Sequence, residues 1–238
     1  MKKAIVVGAT SGIGKELARL LAKNGYRVGI TGRRKALLVA LKHEQPEAFC
    51  TRTFDVSDTT LSILELNELV AELGGLDLII ISSGTGELND NLDFELEKRT
   101  IDTNVIGFTA IADWAFHYFK NQGSGHLVAI SSIAGIRGMR QAPSYGSTKA
   151  YQINYLQALR QKAGKLDLPI IVTDIRPGFV DTDMAKGDGL FWLSTVEKAA
   201  MQMYTAILKK KRVIYVTKRW ALVVWILRRI PNFIYNKL

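Results

Sequence analysis

The chain has 238 residues with 47% hydrophobic and 23% charged side chains, which excludes a disordered or fibrous protein and predicts one sizeable core. Its single cysteine excludes an internal disulfide, and three scattered histidines without cysteines at ligand spacing argue against a metal site, so we predict no bound metal. The net charge of +10 does not indicate a nucleic-acid-binding body, because the first 208 residues hold 23 basic and 22 acidic residues.

Short apolar runs alternate with longer amphipathic stretches along the chain. The apolar runs predict strands at residues 4–7, 27–31, 48–54, 76–82, 126–131, 169–174 and 212–217. The amphipathic stretches predict helices at residues 12–24, 33–42, 58–73, 92–121, 144–165 and 195–209. Continuous Val/Ile runs are typical of strands buried on both faces. The pattern therefore predicts an α/β protein with one Rossmann-like, doubly wound parallel sheet of about seven strands and helices on both faces.

A glycine-rich turn follows the first predicted strand. It contains Gly8, Ser11, Gly12, Ile13 and Gly14, and a predicted helix begins within it. Glycines at such a strand–helix junction let the backbone approach a pyrophosphate, which then lies on the helix N-terminus. The turn therefore predicts a dinucleotide site.

The end of the second predicted strand indicates which dinucleotide binds. NAD-selective sites place a carboxylate there for the ribose 2′-hydroxyl, but no carboxylate occurs between Lys23 and His43. Arg33 and Arg34 follow the strand instead, as a 2′-phosphate requires. We therefore predict that NADP(H) is preferred over NAD(H).

A tyrosine and a lysine lie four residues apart near the start of a later predicted helix. Tyr145 and Lys149 share one face of that helix, and a neighbouring ammonium lowers the pKa of a phenol. Ser132 follows the fifth predicted strand, at the sheet edge where open α/β sheets bind ligands. Its hydroxyl is a candidate for polarising a substrate carbonyl.

Together these features resemble the classical short-chain dehydrogenase/reductase family, from Lys2 to about Thr217. The matching motifs occur in the family's order: Gly8…Gly12-Ile13-Gly14, Asp55-Val56, Gly84, Asn104, Ser132, Tyr145…Lys149 and Pro177-Gly178-Phe179-Val180-Asp181-Thr182. Two motifs depart from the family pattern. Val7 stands where the family often has threonine, and Ile81-Ser82-Ser83-Gly84 stands where it usually has Asn-Asn-Ala-Gly.

The resemblance implies a role for each matched residue. Tyr145 would be the acid/base, Ser132 would hold the carbonyl, and Lys149 would bind the nicotinamide ribose and lower the pKa of Tyr145. Asn104 would bend a helix and support a water relay to Lys149. Asp55 and Val56 would contact the adenine, and Pro177, Gly178, Val180 and Thr182 would hold the carboxamide.

The implied function is an NADP(H)-dependent oxidoreductase that reversibly reduces a carbonyl to an alcohol. Residues 183–200 would form the substrate loop, and the apolar residues 190–193 favour an apolar ketone or aldehyde. The alternative is a catalytically silent NADP(H)-binding sensor or scaffold. The family also implies a homodimer or homotetramer.

A basic, aromatic extension at residues 218–238 follows the predicted domain at residues 1–217. From Lys209 to Leu238 there are nine Lys/Arg and no Asp/Glu, mixed with tryptophan and aliphatic residues. This composition fits a helix lying in a membrane interface, and it also fits packing on the body or on a second subunit; nucleic acid is the least favoured partner.

Two apolar runs, one near each end of the sequence, bear on where in the cell the protein is found. The run Ala4–Val7 is too short for a signal peptide, and Trp220–Leu227 is too short for a membrane span. We therefore predict a cytoplasmic protein, neither secreted nor transmembrane, with peripheral membrane association through the extension as one alternative.

Overall fold

A computed structural model describes residues 1–182 and 191–237. Its strands are β1 (Lys2–Val7), β2 (Tyr26–Gly32), β3 (Phe49–Thr53), β4 (Leu78–Ile81), β5 (Gly125–Ile130), β6 (Ile170–Pro177) and β7 (Val213–Val216). They form one sheet in the order β3-β2-β1-β4-β5-β6-β7, and every neighbouring pair is parallel. The predicted fold class is confirmed.

The described helices fall close to the predicted stretches. They are α1 (Gly12–Lys23), α2 (Lys35–Glu44), α3 (Thr59–Leu73), α4 (Phe94–Ile101), α5 (Phe108–Gln122), α6 (Pro143–Lys165), α7 (Val196–Leu208), α8 (Trp220–Leu227) and α9 (Asn232–Tyr235). A π-helical turn at Asp102–Gly107 joins α4 to α5, so the one helix predicted at residues 92–121 is continuous but changes its winding. A 3₁₀ turn at Ile133–Ile136 follows β5.

Both faces of the sheet are covered. Ala4 and Val6 of β1 pack with residues of α1 and α7, whereas Ile5 and Val7 pack with residues of α3, α5 and α6. All four side chains are fully buried, as continuous apolar strands predict.

The topology places a crevice at one edge of the sheet. Because the strands are parallel, their carboxyl ends meet at the same edge, and the segments after β1 to β6 converge there. The chain runs from β1 outward to β2 and β3, then returns to β4 on the other side of β1. Ligands of open α/β sheets bind at such a reversal.

The C-terminal extension packs on the body through α8 and α9. Trp220 and Val224 of α8 are buried, and a Cβ at Gly178 would lie 2.1 Å from the Trp220 ring. The Tyr235 hydroxyl donates to the Gly138 carbonyl oxygen at 2.7 Å. None of the helices in the described ranges is long and apolar enough to cross a bilayer.

Candidate active site

A cleft of about 540 Å³ opens at the carboxyl edge of the sheet. Of the predicted site residues, all but Asn104 line it: Gly8, Ser11, Gly12, Ile13, Gly14, Arg33, Arg34, Asp55, Val56, Gly84, Ser132, Tyr145, Lys149, Pro177, Gly178, Val180 and Thr182. Motifs spread over 175 residues of sequence therefore meet in one concave surface.

The glycine-rich turn forms one end of the cleft. Gly8 has φ +87°, a backbone conformation that favours glycine. A Cβ at Gly14 would lie 2.1 Å from the Gly8 carbonyl oxygen, so a side chain at position 14 would clash with the backbone of the turn. No side chain caps the first N–H groups of α1, and the Ser83 hydroxyl is buried without a partner among the described residues. Free donors beside glycines that leave the backbone accessible fit the pyrophosphate of a dinucleotide.

Two arginines form the rim beside this turn. Arg34 Nη2 donates to Thr10 Oγ1 and to Ser11 Oγ, both at 2.7 Å. Arg33 Nη1 lies 3.4 Å from Asp55 Oδ2, with its side chain largely exposed. Both guanidinium groups therefore stand at the end of β2, where a ribose 2′-phosphate would be recognised.

Asp55 follows β3 on the same rim. Burial raises the pKa of its carboxyl, but hydrogen bonds from the Ser57 backbone N–H and hydroxyl, together with the Arg33 charge, lower it further, so the net pKa lies below the usual value. A charged carboxylate therefore lies on this rim of the cleft. Val56, the next residue, is buried.

The segment after β6 closes the opposite side of the cleft. Val180 is buried and pairs with Ser194, and the Ser194 N–H donates to the Phe179 carbonyl oxygen at 3.1 Å. Thr182 lies against the first turn, since a Cβ at Gly12 would be 3.2 Å from its methyl group. The two predicted cofactor segments are thus in contact.

Tyr145 lies in the first turn of α6, beside Ser132. Ser132 caps the 3₁₀ turn after β5, and its Oγ accepts from the Ala134 N–H at 3.1 Å. Burial raises the pKa of the Tyr145 phenol, and a hydrogen bond with Ser132 opposes that effect only in part. Within the polypeptide the phenol pKa is therefore raised, whereas the resemblance implied that Lys149 lowers it.

Lys149 is buried one helical turn further along α6. Its Nζ donates to the Ile130 carbonyl oxygen and to Gln152 Oε1, both at 3.0 Å, and lies 5.8 Å from the centre of the Tyr145 ring. Burial lowers the pKa of Lys149 to about 8, although the Asp174 charge opposes it. Among the described residues, two oxygens hold the amine in place, and its pKa lies well below the usual value for lysine.

Asn104 lies behind the cleft, fully buried in the π-helical turn. Its Oδ1 accepts from the Thr85 N–H at 2.9 Å, and its Nδ2 donates to the Thr85 carbonyl oxygen at 2.7 Å and to Thr148 Oγ1 at 3.0 Å. Its backbone oxygen accepts from Gln152 Nε2 at 2.8 Å. The side chain therefore ties the loop after β4 to α6.

Gln152 was not predicted as a site residue. It is 1% exposed and joins Lys149 Nζ to the Asn104 carbonyl oxygen, where the resemblance implied a water relay. The one sequence signal for it is a polar residue three positions after Lys149 on the inward face of α6.

The C-terminal extension also contributes to the cleft, which sequence reasoning missed. Leu227 and Tyr235 line it together with Arg137 and Met139 from the segment after β5. The Arg137 guanidinium lies 4.4 Å from the centre of the Tyr235 ring, and its Nη2 donates to Asn232 Oδ1 at 2.9 Å. Helix α9 is therefore fixed to the segment after β5 at the wall of the cleft.

The predicted substrate loop is described only in part. Residues 183–190 lie outside the described residues, so the predicted lining is represented by its last three members. Phe191, Trp192 and Leu193 are about half exposed, and Phe191 packs on Trp220 with ring centres 5.2 Å apart.

Comparison with known proteins gives consistent matches. A family model for short chain dehydrogenases matches residues 2–189. An "Uncharacterized oxidoreductase" of Myxococcus xanthus is 36% identical over 191 residues, covering 77% of this chain and 74% of the relative. Another from Mycobacterium tuberculosis is 31% identical, covering 77% and 75%. A solved short-chain type dehydrogenase/reductase from Mycobacterium ulcerans is similar at TM-score 0.81 and 26% identity, over 98% of this chain and 92% of that one.

Proposed function

Because the chain belongs to the short-chain dehydrogenase family, we propose that it is an NADP(H)-dependent oxidoreductase that reversibly reduces a carbonyl to an alcohol. One observation carries this proposal. Tyr145, Ser132 and Lys149 line a single cleft together with the glycine-rich turn and the arginines that follow β2. A protein that only binds a dinucleotide has no need of the Tyr145 phenol.

In the reducing direction, Tyr145 donates the proton. Its raised pKa keeps the phenol protonated at neutral pH, so the O–H bond can pass its proton to the carbonyl oxygen as negative charge develops there. Ser132 donates a hydrogen bond to the same oxygen. In the oxidising direction Tyr145 must lose its proton, and the Lys149 charge near the ring favours the phenolate.

When bound, the nicotinamide supplies or takes up the hydride. Gly8, Gly14 and the start of α1 would hold the pyrophosphate, Arg33 and Arg34 the 2′-phosphate, and Asp55 and Val56 the adenosine. Lys149 would bind the nicotinamide ribose. Pro177, Gly178, Val180 and Thr182 would hold the carboxamide, and the contact of Thr182 with Gly12 supports one continuous binding surface.

We propose an apolar ketone or aldehyde as substrate. Beside the Arg137 guanidinium, which lies against the Tyr235 ring, this part of the cleft is lined by Ile133, Ala134, Met139, Leu227 and Tyr235. Such a wall favours carbonyl compounds with hydrocarbon substituents over small polar ones.

We propose that residues 1–217 form the catalytic domain, that residues 218–238 are an extension to it, and that the protein acts in the cytoplasm as a homodimer or homotetramer. Ile101, Ile106 and Tyr151 are exposed on α4, the π-helical turn and α6, which supports a contact between subunits there. Sedimentation equilibrium of the Ile106→Glu variant tests this, since a lower mass than the wild type is expected.

The experiment for the catalytic proposal is NADPH oxidation by the purified protein with carbonyls graded from short and polar to long and apolar. We expect turnover that rises with apolar length and is slower with NADH. Absence of turnover with every carbonyl, with NADPH still bound tightly, would instead favour the alternative sensor or scaffold.

A further inference from the structure

Helix α8 is apolar on the side that faces solvent. All eight of its residues are apolar, and Trp220, Val224 and Leu227 point toward the body. Leu222, Trp225 and Ile226, at i, i+3 and i+4, form the opposite face and are 61%, 54% and 45% exposed. A helix that meets water carries polar residues on its outer face, so this face lacks its partner.

Segments next to α8 in the sequence or in contact with it expose further apolar side chains. Phe233 and Ile234 of α9 are exposed, and so are Phe191 and Trp192, which pack on the Trp220 ring. We call Leu222, Trp225, Ile226, Phe233, Ile234, Phe191 and Trp192 the apolar collar. Patches of this kind mark interaction sites on water-soluble proteins.

Cations bracket the collar. Lys218 and Arg219 precede α8, Arg228 and Arg229 follow it, and all four are exposed. Arg229 lies 3.9 Å from the centre of the Trp225 ring and Arg219 5.9 Å from that of Trp192. Exposed tryptophans between arginines and lysines are the composition of segments that lie in the headgroup region of anionic membranes.

The collar and the catalytic cleft share the same short segments. Leu227 lines the cleft while the preceding Ile226 is exposed in the collar, and Tyr235 lines the cleft while the preceding Ile234 is exposed. A surface that covered the collar would therefore lie beside the entrance to Tyr145.

We propose that the collar docks the protein onto an anionic lipid surface, and that the substrate is an apolar carbonyl compound dissolved in that lipid. The substrate part of this inference rests on the proposed function. The docking part rests on the collar and its cations alone. Docking places the entrance of the cleft against the hydrocarbon in which such a compound is concentrated.

Charge favours lipid over a second copy of the chain. In a two-fold dimer each collar would meet an identical collar, so that the cations around one would face the cations around the other. An anionic membrane instead complements them, and each basic residue near its surface strengthens binding about fivefold.

The docking test is co-sedimentation with vesicles, without substrate. The wild type should bind mixed phosphatidylglycerol–phosphatidylcholine vesicles and remain free with phosphatidylcholine alone. Leu222→Glu should weaken binding at least tenfold, and joint Arg228→Gln and Arg229→Gln should weaken it about 25-fold. The matched control is Leu64→Glu, because Leu64 is 54% exposed on α3, away from the collar, and should bind as the wild type does.

Several results would overturn docking. These are equal binding of the wild type to neutral vesicles, no binding to either kind, or equal loss with Leu64→Glu and Leu222→Glu. A wild type that ignores vesicles and dissociates into smaller species when Leu222 is replaced by Glu would assign the collar to a second copy of the chain.

The substrate test compares a long-chain aldehyde carried in anionic or neutral vesicles with a short water-soluble aldehyde. Anionic vesicles should raise turnover of the long aldehyde at least tenfold in the wild type but not in Leu222→Glu, and both proteins should reduce the short aldehyde equally. No stimulation, with the short aldehyde still reduced, overturns the lipid substrate and leaves the proposed function standing. Vesicle binding without reduction of either aldehyde would contradict aldehyde reduction, overturn the lipid substrate and leave docking supported.

Discussion

Replacing Gln152 with Leu should make Lys149 easier to deprotonate. Gln152 Oε1 is one of two protein oxygens that accept from the Lys149 amine, and leucine removes it at nearly the same volume. A hydrogen bond to a charged group contributes about 1.5–3 kcal/mol, which corresponds to a roughly 10- to 150-fold larger acid dissociation constant. The pKa of Lys149, already lowered to about 8 by burial, therefore falls further.

The assay is the pH dependence of kcat/KM for NADPH oxidation with a water-soluble carbonyl. Because we propose that the charged amine supports the phenolate and binds the ribose, activity should fall as pH rises through the pKa of Lys149. In Gln152→Leu this fall should begin about one to two pH units lower than in the wild type. Gln152→Glu should move it upward, since a carboxylate favours the ammonium.

The control is Gln157→Leu, because Gln157 is exposed on the same helix and should leave the profile unchanged. An unchanged profile in Gln152→Leu, or equal displacement in both leucine variants, would refute the assigned role of Gln152.

Three further predictions concern the cofactor, the pH dependence of stability and the C-terminal wall of the cleft. Arg34→Ala should raise KM for NADPH about 10- to 150-fold and leave KM for NADH within about twofold, and equal changes for both would contradict 2′-phosphate recognition. Burial lowers the pKa of His126 to about 4, so as pH falls the imidazole of the unfolded chain becomes protonated before that of the folded chain. The free energy of unfolding should therefore fall by about 3 kcal/mol as pH drops from 6.5 to 4. Urea unfolding of His126→Gln at pH 6.5 and pH 4 should lack that part of the loss. Tyr235→Phe removes the bond to Gly138 and should raise KM for apolar carbonyls about five- to tenfold with kcat retained, whereas an unchanged KM would place Tyr235 outside the substrate site.

The sheet could be predicted because its strands are buried on both faces. Continuous Val/Ile runs such as Ile79–Ile81 identify such strands without any long-range information, and α-helices between them favour a parallel arrangement. The π-helical turn at Asp102–Gly107 could not be predicted, because the apolar spacing of one widened turn is too close to that of an α-helix.

Residues of the candidate site could be predicted where the residue type itself indicates a chemical role. Tyr145, Lys149 and the glycine-rich turn have few other reasons to occur together, and their positions follow from the ends of β1 and the start of α6. Gln152 and Tyr235 were not predicted as site residues, because their roles depend on contacts that form only in the folded chain. Gln152 reaches a backbone oxygen 48 residues away, and Tyr235 bonds a carbonyl 97 residues away. The spacing of residues along the sequence does not indicate contacts between residues so far apart.

The most direct test of the account is Tyr145→Phe, which removes the proton donor and keeps the ring. We expect kcat for carbonyl reduction to fall about 10²- to 10⁴-fold, while the Kd for NADPH, measured by fluorescence, changes less than about threefold. Undiminished turnover in this variant, with NADPH bound as in the wild type, would contradict the assignment of Tyr145 as the acid and with it the proposed reaction.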